Sequence, residues 1–299
     1  MSKRHETLSR LEHIAYNLGG AGTTRKQRAQ EIVHFVRFLR DHYHLYDFDQ
    51  IRTKHFQNYI ASLTERGVTK RAAQNSAAHI RKTLRAAHPK RFISMLKLPE
   101  LSNAAVGIAG GSRKGTHVAI ANELLKSLQE KLPPDIRLLS ELQRVLGLRL
   151  KEAVCLTKKG ELIRIREELE TGWGTVEAGT KGGRSRSIYF SPEQQGEILR
   201  IMTDILQFMS TRRQTFLVIS KGKSLKSAYD RARSQYCKAG LNGKIASHSL
   251  RYAWVHDRMA FFKALGIPPQ SAKKLVALEL GHGDSRARYV QMVYGRGLN

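Results

Sequence analysis

The spacing of apolar residues predicts a mainly helical protein. In most stretches apolar side chains recur every three or four positions, which is the period of one face of an α-helix. Threonines and glycines at the ends of these stretches are typical of helix boundaries. Helices are predicted near residues 5–18, from Thr23 or Thr24 to 44, and near 53–67, 69–88, 118–131, 134–147, 191–209, 224–239, 248–263 and 268–279.

A different pattern runs from residue 161 to residue 190. Three short segments there, 162–165, 173–176 and 187–190, alternate between apolar and polar or small residues, and Gly-rich connections separate them. Alternation with a period of two is typical of β-strands. We therefore predict a small antiparallel sheet of three strands, with Lys181 on the turn between the second and the third.

Breaks in these patterns divide the chain into two domains. Residues 1–92 are predicted to form a helical module, and residues 116–299 a mostly helical domain that contains the sheet. The segment between them, 93–115, holds a proline and many small residues, which is typical of an exposed linker. A chain of 299 residues is long enough for two hydrophobic cores. The predicted fold class is mainly α with a small antiparallel β-sheet (α+β).

The charge of the chain points to a polyanionic partner. The formal net charge is +27, and it is spread along the chain, with +11 on residues 1–100 and +16 on the remainder. Nucleic acid is the first candidate partner for such a surface, and an anionic membrane is the competing one. For each basic group taken alone, simple solvation is the alternative. The candidate DNA-binding residues are Lys70, Arg71, Arg81, Lys82 and Arg85 on the fourth helix and Arg113 and Lys114 in the linker.

Two other features limit the class to which the protein can belong. The sequence contains neither a secretory signal nor an apolar run long enough to span a bilayer. Cys155 and Cys237 are the only cysteines, so a disulfide framework and a cysteine-based zinc site are both excluded. We expect a cytoplasmic protein without a membrane partner.

Several basic and aromatic residues could together handle a phosphate group. His248 and Arg251 are three residues apart in a predicted helix and therefore project from one face. Arg149 follows an apolar helix, and a pair of arginines can neutralise the charge that develops on phosphate oxygens during attack. Lys181 could protonate a leaving oxygen. Each of these residues alone is more simply explained as a solvated surface group.

The order of the motifs resembles that of the tyrosine recombinases, the phage-integrase family. The resemblance covers nearly the whole chain, from a helical N-terminal module through a linker to a domain with a small sheet. The motifs in chain order are Gly147-Leu148-Arg149 with Glu152, Lys181 in Thr-Lys-Gly-Gly-Arg, His248-x-x-Arg251, Leu280-Gly281-His282 and a late tyrosine.

The resemblance implies a reaction and its participants. Four residues would hold the scissile phosphate of double-stranded DNA, Lys181 would protonate the leaving 5′ oxygen, and a tyrosine would attack phosphorus to leave a 3′-phosphotyrosine. No metal ion, ATP or other cofactor is needed, because the covalent link conserves the bond energy. It further implies core-type recombination sites, a homotetramer on DNA and association with the nucleoid. The four phosphate-binding residues are Arg149, His248, Arg251 and His282.

Two tyrosines compete for the role of nucleophile. Tyr289 follows His282 by seven residues and Tyr294 by twelve, and neither distance is the usual one of the family. Tyr294 is preferred because it ends an apolar helical segment just before a glycine. Two functions compete with recombination: a DNA-binding accessory protein that does not cut, and a type IB topoisomerase.

Overall fold

The computed structural model describes residues 3–111, 115–180 and 183–295. By its internal contacts the chain divides into two compact units, Met1–Ser112 and Arg113–Asn299. No described helix is long and apolar enough to cross a membrane. Lys181, Arg113 and Lys114 lie outside the described residues.

The first unit is helical throughout, as the apolar spacing predicts. Buried side chains from its helices form one core that includes Phe35, Phe56 and Ile80. Thr69 caps the fourth helix by accepting a hydrogen bond from the Ala72 backbone N–H at 3.3 Å. Its helices are α1 (Lys3–Asn17), α2 (Gly22–Tyr43), α3 (Thr53–Glu65), α4 (Lys70–Ala87) and α5 (Pro89–Met95).

The segment 93–115 was predicted to be an exposed linker, but residues 93–108 are packed onto the core of the first unit. Leu96, Leu101 and Ile108 are buried in the core of the first unit. The side-chain amide of Gln74 on α4 donates hydrogen bonds to the carbonyls of Ile108 and Gly110, at 2.6 and 2.8 Å. The segment lacks helical periodicity because its widely spaced apolar residues pack against helices formed elsewhere.

The second unit contains nine described α-helices and one hairpin. Six of them lie within a few residues of their predicted bounds, although α6 begins later than predicted, whereas α8 and α9 lie where no helix was predicted. The helices are α6 (Asn122–Gln129), α7 (Pro134–Val145), α8 (Leu150–Leu156), α9 (Lys159–Glu170), α10 (Pro192–Thr211), α11 (Leu225–Ala239), α12 (Ser249–Ala264), α13 (Pro269–Glu279) and α14 (Ala287–Tyr294).

The described sheet has two strands instead of the predicted three. Strands β1 (Trp173–Val176) and β2 (Arg186–Tyr189) pair antiparallel, with Trp173 opposite Tyr189. The segment 162–165 is part of α9, so its assignment as a strand was wrong. Leu162, Ile165 and Leu169 are fully buried at spacings of three and four, which is the helical period. Four alternating residues were too few to distinguish the two periods.

Two hydrophobic cores in the second unit fix the elements that carry the candidate site. One is built around α7, α9, α10 and the hairpin, and the other around α12, α13 and α14. Gly147, in the turn between α7 and α8, lies at their junction. Its φ is +58°, and an added Cβ would lie 2.3 Å from Cδ2 of Trp254 on α12.

Replacing Gly147 with alanine is expected to lower the free energy of unfolding by about 2 kcal/mol or more, through left-handed backbone strain and overpacking against Trp254. Gly160 is a matched control, because it lies in α9 and a Cβ added there would meet no described atom within 4 Å. Gly160→Ala should raise stability by about 0.5 kcal/mol. Urea unfolding of both variants measures the difference, and equal stability of Gly147→Ala and wild type would contradict this account.

Candidate active site

Three arginines converge on the buried carboxylate of Glu152. The Arg149 backbone N–H donates to Oε2 at 2.9 Å, and the Arg149 guanidinium donates to Oε1. Arg186 on β2 donates to Oε2 at 3.1 Å, and Arg251 on α12 donates to the same oxygen at 3.3 Å. One carboxylate therefore holds three cations from three separate elements.

The electrostatics of this cluster keep its members charged. Burial opposes ionisation of Glu152, but the positive charges of Arg186, Arg251 and Arg149 outweigh it and lower the Glu152 pKa to about 2. Burial lowers the pKa of Arg186 to about 10, and the neighbouring Arg251 contributes to that shift. At neutral pH the cluster keeps a net positive charge that an anion can neutralise.

Arg251 is fully buried and is held by backbone carbonyls. It donates to the Gly147 carbonyl at 2.7 Å and to the Leu280 carbonyl at 2.8 Å. The Tyr294 phenol lies close enough to oppose, through its charge, the lowering of the Arg251 pKa that burial causes. The α7–α8 turn and the end of α13 are joined through the Arg251 side chain, and α14 ends beside it.

His248 immediately precedes α12 and faces a group of aromatic rings. Its ring centroid is 6.1 Å from that of Tyr294 and 5.6 Å from that of Tyr252. Burial is the main cause that lowers the His248 pKa to about 3, and the charges of Arg251 and His117 add to it. The imidazole is therefore neutral at physiological pH.

The two candidate tyrosines occupy different surroundings. Tyr294, at the end of α14, is 1% exposed and contacts Arg251 and the His248 ring. Tyr289 is half-buried, and its ring centroid lies 4.8 Å from that of His282. Burial raises the pKa of Tyr289. Tyr294 is thus the tyrosine held against the arginine and histidine that precede it in the motif order.

A cavity of about 410 Å³ opens beside the arginine cluster. Four arginines line it, and no acidic side chain is among its described lining residues, which suits an anionic ligand. A larger cavity, of about 1050 Å³, lies between α6, α7, α10 and α12 and mixes acidic with basic groups, so it does not match a polyanion. The smaller cavity is lined by Arg149, Arg184, Arg186, Leu280, Gly281, His282, Arg286 and Tyr289.

Comparison with known families accounts for both units. A family model described as integrase matches residues 107–257, and one described as phage integrase, N-terminal, matches residues 1–93. The chain belongs to the tyrosine recombinase family. No curated protein gives a match in sequence.

Solved structures show the same fold. A lambda integrase tetramer bound to a Holliday junction is 19% identical with a TM-score of 0.62, over 95% of this chain and 76% of that one. XerH recombinase bound to a palindromic difH substrate is 18% identical with a TM-score of 0.58, over 95% and 80%. The Tn1549 transposon integrase bound to transposon right end DNA is 14% identical with a TM-score of 0.58, over 95% and 94%. At these identities the likeness concerns the fold.

Within this tyrosine recombinase fold, four of the motif residues meet at one place. Arg149 and Arg251 belong to the Glu152 cluster, and His248 and Tyr294 lie beside Arg251. His282 lies at the cavity beside Tyr289. Their roles in the family's chemistry remain predictions for this chain, as does the role of Lys181.

The candidate DNA-binding residues of α4 differ among themselves. Lys70, Arg71, Lys82 and Arg85 are exposed. Arg81 is half-buried, and its guanidinium donates to the Asn103 side chain at 2.7 Å and to a backbone carbonyl in the same segment. These contacts of Arg81 anchor residues 101–103 to α4. This structural role of Arg81 was not predicted from the sequence.

Glu152 and Arg186 are two buried residues of the site for which no role was predicted from the sequence. Glu152 stands three residues after Arg149, the spacing at which a side chain can reach back to the backbone at the start of a helix. Arg186 alternates with Ile188 on the core face of β2, and both are buried. A charged residue on the apolar face of a strand was the available signal for Arg186.

Proposed function

We propose that this protein is a site-specific DNA recombinase that cuts and rejoins strands through a 3′-phosphotyrosine intermediate. The observation that carries the proposal is the grouping of Tyr294 with the buried Arg251 and with His248, whose ring centroid lies 6.1 Å from that of Tyr294. A nucleophile, a cation that stabilises its oxygen and a proton acceptor are the three parts that tyrosine attack on phosphorus requires.

The proposed step is a transesterification. The Tyr294 oxygen forms a bond to phosphorus while the bond from phosphorus to the 5′ oxygen breaks. The phenol proton passes to His248, and Lys181 supplies a proton to the leaving 5′ oxygen. The 5′ hydroxyl of a partner strand reverses the step, so the number of phosphodiester bonds is conserved and no ATP or metal ion is consumed.

Of the three arginines bound to Glu152, Arg149 is the one that an incoming phosphate would meet. Its side chain is 22% exposed, whereas those of Arg186 and Arg251 are buried. Arg149 and His282 both line the cavity of about 410 Å³. We infer that these two residues bind the scissile phosphate from the open side and that Arg251 stabilises the developing charge from within.

Double-stranded DNA with core-type sites is the proposed partner. The exposed basic residues of α4, with Arg113 and Lys114, would contact phosphates and make binding strongly dependent on salt. The lambda integrase tetramer bound to a Holliday junction favours a tetramer as the working assembly here too. A DNA substrate would place the protein at the nucleoid.

Covalent trapping on nicked DNA tests the proposal. A duplex selected by the protein from a randomised DNA pool is synthesised with a nick beside each candidate cleavage position, so that a short fragment diffuses away after cleavage. We expect an SDS-resistant adduct whose peptide mass identifies the tyrosine. Binding without an adduct would favour the accessory protein, and relaxation of supercoiled DNA without strand exchange would favour the topoisomerase.

A further inference from the structure

The segment at the start of the second unit runs against the helix that carries Tyr294. The Gly115 backbone N–H donates to the Met292 carbonyl of α14 at 3.3 Å, and the Val118 N–H donates to the Lys244 carbonyl at 3.2 Å. A Cβ on Gly115 would lie 2.1 Å from the Val293 carbonyl oxygen. Gly115 is thus in close backbone contact with α14, and Val118 is held by the connection between α11 and α12.

This contact brings a second histidine to the aromatic group around Tyr294. The ring centroid of His117 is 5.8 Å from that of His248, at an interplanar angle of 65°, and 6.1 Å from that of Tyr252. The His248 ring in turn faces Tyr294. Edge-to-face arrangements of this kind restrict the orientation of both rings.

Hydrogen bonding does not explain the place of the His117 ring. Its Nδ1 is buried and has no partner among the described residues. A buried polar atom without a partner lowers stability by roughly 1–3 kcal/mol, so such an atom needs a reason to be retained. A role in the neighbouring reaction would supply that reason.

We propose that His117 is a positioning residue of the active site, which holds the His248 imidazole at the angle from which it takes the proton of Tyr294. This inference rests on the proposed function. His117 thereby acts through His248 and need not contact DNA.

Several charged and titratable groups share this environment and enter the interpretation of any pH profile. Arg251 and Tyr252 face His248 from α12, Glu152 from α8 and Tyr294 from α14, and Arg149 precedes α8. None of them is altered by a substitution at His117. A change in the titration of His248 in such a variant therefore reports on His117 itself.

Two substitutions at His117 separate positioning from folding. His117→Ala removes the ring, and His117→Phe keeps an aromatic ring without nitrogens. In a single-turnover assay on the nicked duplex, we expect His117→Ala to cleave about 10- to 100-fold more slowly, since a catalytic group displaced by an ångström loses rates of this order. DNA affinity should stay at the wild-type value, and His117→Phe should recover most of the rate. The thermal unfolding temperature should not fall below that of wild type, because both substitutions remove a buried atom that has no hydrogen-bond partner among the described residues.

A spectroscopic readout and a matched control complete the test. In protein labelled with ¹⁵N-histidine, His117→Ala should move the His248 titration to higher pH, because a neighbouring basic group that lowers the His248 pKa is lost. His34→Ala, an exposed histidine on α2, should change neither rate nor titration. Wild-type cleavage by His117→Ala would overturn the inference, and so would a rate loss matched by lower affinity or stability. An absence of adduct with wild-type protein would instead count against the proposed function.

Discussion

Replacing Tyr294 with phenylalanine is expected to abolish the covalent adduct on nicked DNA, with cleavage at least about 1000-fold slower than wild type. The substitution removes only the phenol oxygen, which is the atom that forms the bond to phosphorus. The Tyr294 ring is packed 4.6 Å from that of Tyr252, and phenylalanine preserves this contact. DNA binding should be unchanged, because the phenol lies in the buried part of the site.

Tyr289→Phe is the matched control, since it makes the same change on the same helix five residues earlier. We expect this variant to form the adduct, because Tyr289 contacts His282 at the cavity, whereas Tyr294 is the tyrosine that faces the His248 ring. A trapped adduct in Tyr294→Phe would contradict the assignment, and its loss in Tyr289→Phe alone would move the nucleophile to Tyr289. Peptide mass after digestion of the wild-type adduct provides an independent measurement.

Replacing Glu152 with glutamine is expected to lower the free energy of unfolding by about 3 kcal/mol or more, because it leaves three closely spaced arginines without their counter-charge. Two of these arginines, Arg186 and Arg251, are buried and cannot be screened by water. Cleavage should slow as well, since the same carboxylate orients Arg149 and Arg251. Urea unfolding at neutral pH measures the loss.

The loss of stability caused by Glu152→Gln should disappear at low pH. The Glu152 pKa is about 2 in the folded protein against a reference of 4.5, so its contribution to stability is fully present above pH 4.5 and is lost as pH falls through about 2. The difference in unfolding free energy between wild type and Glu152→Gln should therefore narrow over this range. A difference that stayed constant down to pH 2 would show that packing, and not charge, accounts for it.

Glu170→Gln provides the control for a general effect of removing a carboxylate. Glu170 forms an exposed i,i+4 pair with Arg166 at 3.5 Å on α9. Exposed pairs contribute about 0–1 kcal/mol, so this variant should unfold almost as wild type does. A comparable loss of unfolding free energy in Glu152→Gln and Glu170→Gln would contradict a special contribution of the buried cluster.

The extent to which the sequence predicts this fold follows from the range of the interactions involved. Helices such as α2, α4 and α12 are encoded by local apolar periodicity, and their predicted bounds agree with the structure to within two residues. Among these three, only α4 has a capping side chain, that of Thr69; the cap predicted at Thr23 or Thr24 was wrong, because α2 begins at Gly22 after Ala21. The prediction of a strand at 162–165 was wrong, because Leu169, the third buried residue on the same face of α9, lies beyond the four residues that suggested alternation. The prediction of an exposed linker was wrong over residues 93–108, because the burial of Leu96, Leu101 and Ile108 depends on partners far away in sequence.

The sequence by itself determined the family, the mainly helical fold with its hairpin, and the set of basic and aromatic residues from which an active site could be built. Only the tertiary structure decided that Glu152 holds Arg149, Arg186 and Arg251 together, that Arg251 meets Tyr294, and that His117 lies beside His248. The physical reason is that each of these contacts joins elements whose approach is set by core packing. Motif spacing records which side chains are available, whereas the folded core decides which of them touch.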